Sequence, residues 1–125
     1  MTQTMKPGTI GWCDLTVDDA DTVRDFYRDV VGWSIEPTPM GEYNDYTMTR
    51  SGDGEAIAGV CHARGSNAGL PPRWLIYVVV EDLAASISAA QERGGELIHG
   101  PRGAGGGSIA VLRDPAGAEF ALYQA

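Results

Sequence analysis

CDLTV (13–17), followed by Asp18 and Asp19, recurs 63 residues later as IYVVV (76–80), followed by Glu81 and Asp82. At the same offset Arg50-Ser51-Gly52-Asp53-Gly54 falls on Arg113-Asp114-Pro115-Ala116-Gly117, and Gly32 lands on Gly95. An internal repeat limits the fold more than any composition does. Each half must be one supersecondary unit of the same topology, with a strand running into an acidic helix start and a glycine after the helix. The 125 residues suffice for one domain that closes a core without disulfides or a structural metal.

In the first half Ile10 to Val17 alternates. Gly11, Cys13, Leu15 and Val17 lie on one face, with Ile10, Trp12, Asp14 and Thr16 on the other. DDADTVRDFYRDVVG reads as a helix capped by an Asp, with Val23, Phe26, Tyr27, Val30 and Val31 as its apolar stripe and Gly32 as its left-handed stop. WSIEP, YNDYTMT and EAIAGVCH follow as three short strands, broken by Pro37, Pro39, Gly41 and SGDG.

The second half repeats the pattern. RWLIYVVV is a strand and DLAASISAAQER a helix with Leu83, Ile87 and Ala90 inward and Gly94-Gly95 as its stop; ELIH, SIAVLR and AEFALYQ follow as strands. The prediction is an α+β fold of two βαβββ modules, residues 8–62 and 73–124, within one domain spanning 1–125. They are joined by the Gly/Pro-rich linker 63–72. The run GPRGAGGGS (100–108) has neither the spacing of a phosphate loop nor a following helix, and reads as a mobile loop between strands.

Composition narrows the function. Seventeen Asp+Glu against nine Lys+Arg give a formal charge of −8, which opposes nucleic acid and anionic membrane as partners. It is compatible with a neutral or cationic small ligand, and acidity is also a solubility device. No run approaches a membrane span, and MTQTMKPGTI lacks the basic start and apolar stretch of a signal peptide. The expected location is therefore the cytoplasm. Cys13 and Cys61 lie in apolar strand-like segments without CxxC spacing and read as free thiols of the core.

DFYRDVVGW, the paired glycines after the second helix and RDPAGAEFALY together resemble the vicinal-oxygen-chelate superfamily, which includes glyoxalase I, extradiol dioxygenases and bleomycin-resistance proteins. The resemblance runs from about Gly8 to Tyr123. It implies a curved mixed sheet forming a cup, into which metal-dependent members project four His, Gln or Glu ligands. Here the corresponding positions fall on Trp12, Leu75, Ala121 and either Ala58 or Gly59, none of which can coordinate. His62 and His99 have no second His at i+2 or i+4. The expectation is no metal and no cofactor.

Strand alternation places Asp14 and Thr16 beside Trp12, with Arg73, Tyr77 and Val79 on the fifth strand and Glu119, Ala121 and Tyr123 on the last. Tyr46 and Met48 are expected on the same side. Cys13, Leu15, Val17, Ile76, Val78, Val80, Phe120 and Leu122 should pack under the helices. Trp33 and Trp74 read as core or subunit interface, and Asp14 pairs either with Arg73 or with a ligand. The candidate ligand-binding set is thus Trp12, Asp14, Tyr46, Met48, Leu75, Tyr77, Glu119, Ala121 and Tyr123, with no catalytic residue assigned. Aromatics, carboxylates and small residues suit non-catalytic sequestration of a small aromatic or cationic natural product. Antibiotic self-resistance and a homodimer are what the resemblance implies. The alternative is an enzyme: a metal-independent lyase or isomerase with Asp14 or Glu119 as general base, or a dioxygenase of the same superfamily. A ligandless interaction module, its cup filled by its own side chains, is a third reading.

Overall fold

The computed structural model describes residues 6–125; residues 1–5, part of the stretch read for a leader, lie outside the described residues. Both repeats fold as βαβββ, and the chain is α+β. It divides into two compact units, one of Cys13–Trp74 and one of Leu75–Ala125 with the residues up to Trp12. The cut falls within the first strand, β1 (Ile10–Val17).

In the first unit β1 leads into α1 (Ala20–Val31), β2 (Ser34–Pro39), β3 (Asn44–Thr49) and β4 (Ala56–His62). The strand order is β2-β3-β4-β1, with β1 and β4 parallel and the other neighbours antiparallel. Asp19 starts the helix by accepting from the Thr22 backbone N–H at 3.1 Å and from the Thr22 hydroxyl at 2.7 Å. Gly32 ends it at φ +86°, donating to the Arg28 carbonyl. The inward stripe of α1 covers a core of Ala20, Tyr46, Met48 and Val60, against which Val17, Val23, Tyr27, Trp33, Ile35 and Trp74 pack. Met48 and Val60 have no exposed surface. Complete burial of such side chains contributes roughly 1.5–3 kcal/mol each. Trp74 Nε1 donates to the Tyr27 hydroxyl at 3.0 Å, and this partly buried tryptophan packs against the core, one of the two places expected for it.

The second unit runs β5 (Trp74–Val79), α2 (Leu83–Glu92), β6 (Glu96–Ala104), β7 (Gly107–Arg113) and β8 (Glu119–Gln124), in the order β5-β8-β7-β6. β5 and β8 are parallel; the other neighbours are antiparallel. Asp82 caps α2 by accepting from the Ala85 N–H at 3.1 Å, and Gln124 Oε1 accepts from the Leu83 N–H at 2.7 Å. Beneath the helix lie Leu83, Ile87, Ala110, Leu112 and Leu122, joined by Val78, Val80, Ala90, Leu97 and Phe120. Among the described residues no helix is long and apolar enough to cross a membrane.

Four expectations need correction. Pro37 and Pro39 do not break a strand but lie in β2, a strand at the end of its unit's order, where a missing N–H costs little. Ile76 keeps 41% of its surface exposed, because α2 packs over Val78 and Val80 and leaves the start of β5 uncovered. Tyr46 and Met48 face α1, since β3 pairs them with Val60 and Ala58 on the core side. GPRGAGGGS is no loop: it forms the end of β6, a two-residue Gly105-Gly106 turn at φ +56° and +86°, and the start of β7.

Candidate functional site

Residues paired across neighbouring strands share a face, so the register shows which side chains meet. On the side of the β5-β8-β7-β6 sheet away from α2, one row reads Tyr77, Ala121, Val111, His99. The next reads Val79, Tyr123, Ile109, Arg102, and a third holds Glu119, Arg113 and Glu96. The middle of the face is apolar and buried: Ala121 and Val111 are fully buried, and Tyr77 and Tyr123 keep 5% and 9% exposure. Its β6 side is polar and half-buried, carrying His99 and Arg102.

Those two polar residues meet through a defect in the strand. His99 and Arg102 are three apart, yet their partners Val111 and Ile109 are two apart, so β6 carries one extra residue there. The bulge turns both side chains to the same face, and Arg102 Nε donates to His99 Nε2 at 3.0 Å. The acceptor nitrogen carries no proton, so this imidazole is the neutral Nδ1–H tautomer. In the third row Arg113 Nη1 lies 2.8 Å from Glu96 and Nη2 lies 3.9 Å from Glu119, whose side chain is 5% exposed.

The sheet face away from α1 is chemically different. Asp14, Gly59 and Thr47 form one row, and Thr16 and Cys61 pair in the next. Cys61 Sγ lies 3.9 and 4.0 Å from the Asp14 carboxylate oxygens. Burial, and then the negative charges of Asp14 and Asp45, push the Cys61 thiol far above the ordinary cysteine range. A thiol held protonated in this way is a poor nucleophile and a poor metal ligand. Asp45 is occupied in accepting the His62 backbone N–H at 2.8 Å. Both cysteines are free, as read from the sequence.

A family profile matches residues 9–122 and is described as the Glyoxalase/Bleomycin resistance protein/Dioxygenase superfamily. The chain belongs to this superfamily. Its relatives within the superfamily include CFP32 of Mycobacterium tuberculosis, provisionally named a glyoxylase and 31% identical over 123 residues. The match covers 96% of the present chain and 47% of CFP32. The anthracycline biosynthesis protein DnrV of Streptomyces peucetius is 30% identical over 118 residues, covering 94% of the present chain and 42% of DnrV. The chain thus spans about half the length of these relatives. Among solved structures, a variant of Streptomyces coelicolor methylmalonyl-CoA epimerase superposes with a TM-score of 0.58 at 18% identity, covering 96% of this chain and 99% of that one. The Mn(II)-bound glyoxalase of Novosphingobium aromaticivorans gives 0.59 at 21%, covering 94% of this chain and 39% of that one. At such identities the likeness is one of fold.

For this superfamily member the metal question turns on donor chemistry. Parity in β4 decides between the two open positions: Ala58 faces the core with Met48, while Gly59 aligns with Asp14. The positions that the family resemblance implies then fall on Trp12, Gly59, Leu75 and Ala121, and none carries a side chain that coordinates a metal. Among the described residues no three His, Cys, Asp or Glu side chains gather in a metal-binding group. The residues present do not fit a metal at these positions.

Of the candidate residues, Tyr77, Ala121, Tyr123 and Glu119 share the face away from α2. Leu75, two residues before Tyr77 on β5, is 2% exposed. Trp12 shares its side of β1 with Asp14 and is half-buried. Tyr46 and Met48 leave the set because they are core. Sequence reading missed His99 and Arg102 as neighbours, although Gly100-Pro101 inside a strand pattern is a signal of a bulge.

Proposed function

We propose that this chain binds a flat aromatic small molecule through the face away from α2, without a metal. The observation that carries the reading is the setting of Ala121. It lies opposite Tyr77 on β5 and two residues from Tyr123 on its own strand, so two phenol rings border a methyl-sized position. Aromatic pairs contribute roughly 0.5–1.5 kcal/mol beyond burial, which such a ligand would draw on at this position. An apolar centre with a polar, half-buried edge matches the lining chemistry of a small-molecule site. Relatives named for anthracycline biosynthesis support a link to planar, polycyclic natural products. Sequestration, with self-resistance as its purpose, is the form of binding we favour.

The test is a tryptophan-fluorescence titration with anthracyclinones and hydroxyanthraquinones, beside metal analysis of the same sample. Micromolar binding by a metal-free sample, weakened tenfold or more by Tyr77→Ala, is the expected result. Absence of binding below millimolar concentration would mark the face as packed core. Turnover of a bound compound would move the chain to the lyase or isomerase reading.

A further inference from the structure

The two helices differ at positions that the repeat makes equivalent. Asp19 and Asp82 cap them at the same place, and at the same offset of 63 Val23, Phe26 and Tyr27 of α1 fall on Ser86, Ala89 and Ala90 of α2. Val23 and Tyr27 pack on the core of their unit, and Phe26 sets its ring edge-on to Tyr27, with centroids 5.1 Å apart. The second helix carries only a hydroxymethyl and two methyls in their stead. A groove of about 390 Å³ runs beside it.

Both walls of this groove are fixed. Ala85, Ser86 and Ala89 of α2 form one, and Pro7 and Gly8 form the other. The Gly8 N–H donates to the Val79 carbonyl at 2.7 Å and the Val79 N–H to the Thr9 carbonyl at 2.8 Å, which pins the second wall to β5. Val78 and Val80, half-buried, complete an aliphatic lining, and among the described residues no aromatic ring takes part in it. One end carries the exposed Glu81 and Asp82. Asp82 uses Oδ1 to cap α2. Two carboxylates outweigh the roughly half positive charge of a helix start, so this end is negative. The volume lies within the range of about 300–1,000 Å³ found for small-molecule sites.

We propose that the groove is a ligand site of its own and takes a bulky aliphatic amine, with the apolar body on Val78, Val80 and the alanines of α2 and the ammonium toward Glu81 and Asp82. Charge complementarity carries the choice of occupant. The aliphatic walls select the body, the acidic end selects the sign of the head group, and the chain's charge of −8 draws a cation from a distance. The site is independent of the aromatic-binding reading, which uses tyrosine rings on the opposite side of the same sheet. Both carboxylates are exposed, so the ammonium adds only up to about fivefold in affinity, and burial of the apolar body supplies the rest.

The measurement is an amide-resolved NMR titration of the full chain with adamantylamine, adamantanol and adamantane carboxylate, one apolar body with three head groups, at neutral pH and physiological salt. The amine is expected to bind at submillimolar concentration and to shift the Ala85 and Ala89 amides. The alcohol should bind about threefold more weakly, as an exposed ion pair allows, and the carboxylate more weakly still. Glu81→Gln combined with Asp82→Asn should bring amine and alcohol together, since the Asn still caps α2. Ala89→Phe gives α2 the side chain that α1 carries at the equivalent position, where more than half of the Phe26 surface is exposed. That variant should keep its thermal unfolding midpoint and lose binding of the amine at least tenfold. Equal affinities for amine and alcohol, binding that survives Ala89→Phe, or shifts confined to the Tyr77, Ala121 and Tyr123 amides would overturn the proposal. Silence with all three probes would overturn it too, without touching the aromatic-binding reading. Groove amides that shift on dilution of the chain alone would give the groove to a second copy instead of an amine.

Discussion

The Tyr46 hydroxyl on β3 donates to the Asp21 carboxylate in the first turn of α1, and the Arg24 guanidinium lies 4.5 Å above the same ring. This contact makes Tyr46 a strut between sheet and helix rather than a ligand platform. Burial first, and then the bond to Asp21, raise the phenol above its ordinary value. The folded protein therefore keeps this proton at a pH where the unfolded chain has released it. Stability should fall as pH rises past about 10, the unfolded tyrosine value. Tyr46→Phe should flatten that slope in urea unfolding followed across alkaline pH. It should also lose about 1 kcal/mol at neutral pH, the ordinary contribution of one hydrogen bond.

Cys61 is expected to resist chemistry. With burial and the Asp14 charge holding it protonated, alkylation by iodoacetamide near pH 8 should be much slower in the folded protein than in denaturant. Asp14→Asn removes the second cause and should speed the reaction. Fast labelling of Cys61 in the folded, unmodified protein would show that the thiol is not held in this way. Mass mapping of the labelled peptide separates it from Cys13.

Gly107 opens β7 where β8 comes closest. A Cβ there would stand 2.2 Å from the Gln124 carbonyl oxygen and 2.8 Å from the Tyr123 hydroxyl. Backbone cannot retreat from such a contact without breaking the pairing of Ser108 with Gln124. Gly107→Ala should lower stability by about 2–3 kcal/mol, the upper range for overpacking, as read from chemical denaturation. Gly105→Ala lacks that clash, with nothing within 4 Å of its Cβ position, and should cost only the strain of its positive φ.

Asp82 tests the helix starts separately from the site. Its carboxylate takes the Ala85 N–H, one of the four that an α-helix cannot satisfy itself. Asp82→Ala should cost about 1 kcal/mol, and Asp82→Asn much less, since an amide oxygen still caps. Equal losses in thermal unfolding would assign the effect to charge rather than to the cap.

Much of this architecture was readable in one dimension. The repeat gave two βαβββ units because strand, acidic cap, apolar stripe and stop glycine are local devices, each decided within a few residues. That Asp14 lies opposite Cys13 and Leu15, or Tyr77 opposite Val78, follows from the two-residue period of a strand, and the structure agrees. The period alone cannot say which side is inward when both carry aromatics. Tyr46 and Met48 alternate with Asp45 and Thr47, and only pairing with Ala58 and Val60 turned them to α1.

The same limit hid the Arg102–His99 pair. Odd and even positions separate along a regular strand, and β6 departs from that alternation twice, between Leu97 and His99 and again between His99 and Arg102. The chain's sequence by itself determined the repeat, most of the elements and the superfamily, because these depend on residue type and short spacing. Only the tertiary structure decided the register, since that is fixed by which strands lie side by side. Register in turn placed Gly59 rather than Ala58 beside Asp14, and set Tyr77, Ala121 and His99 in one row.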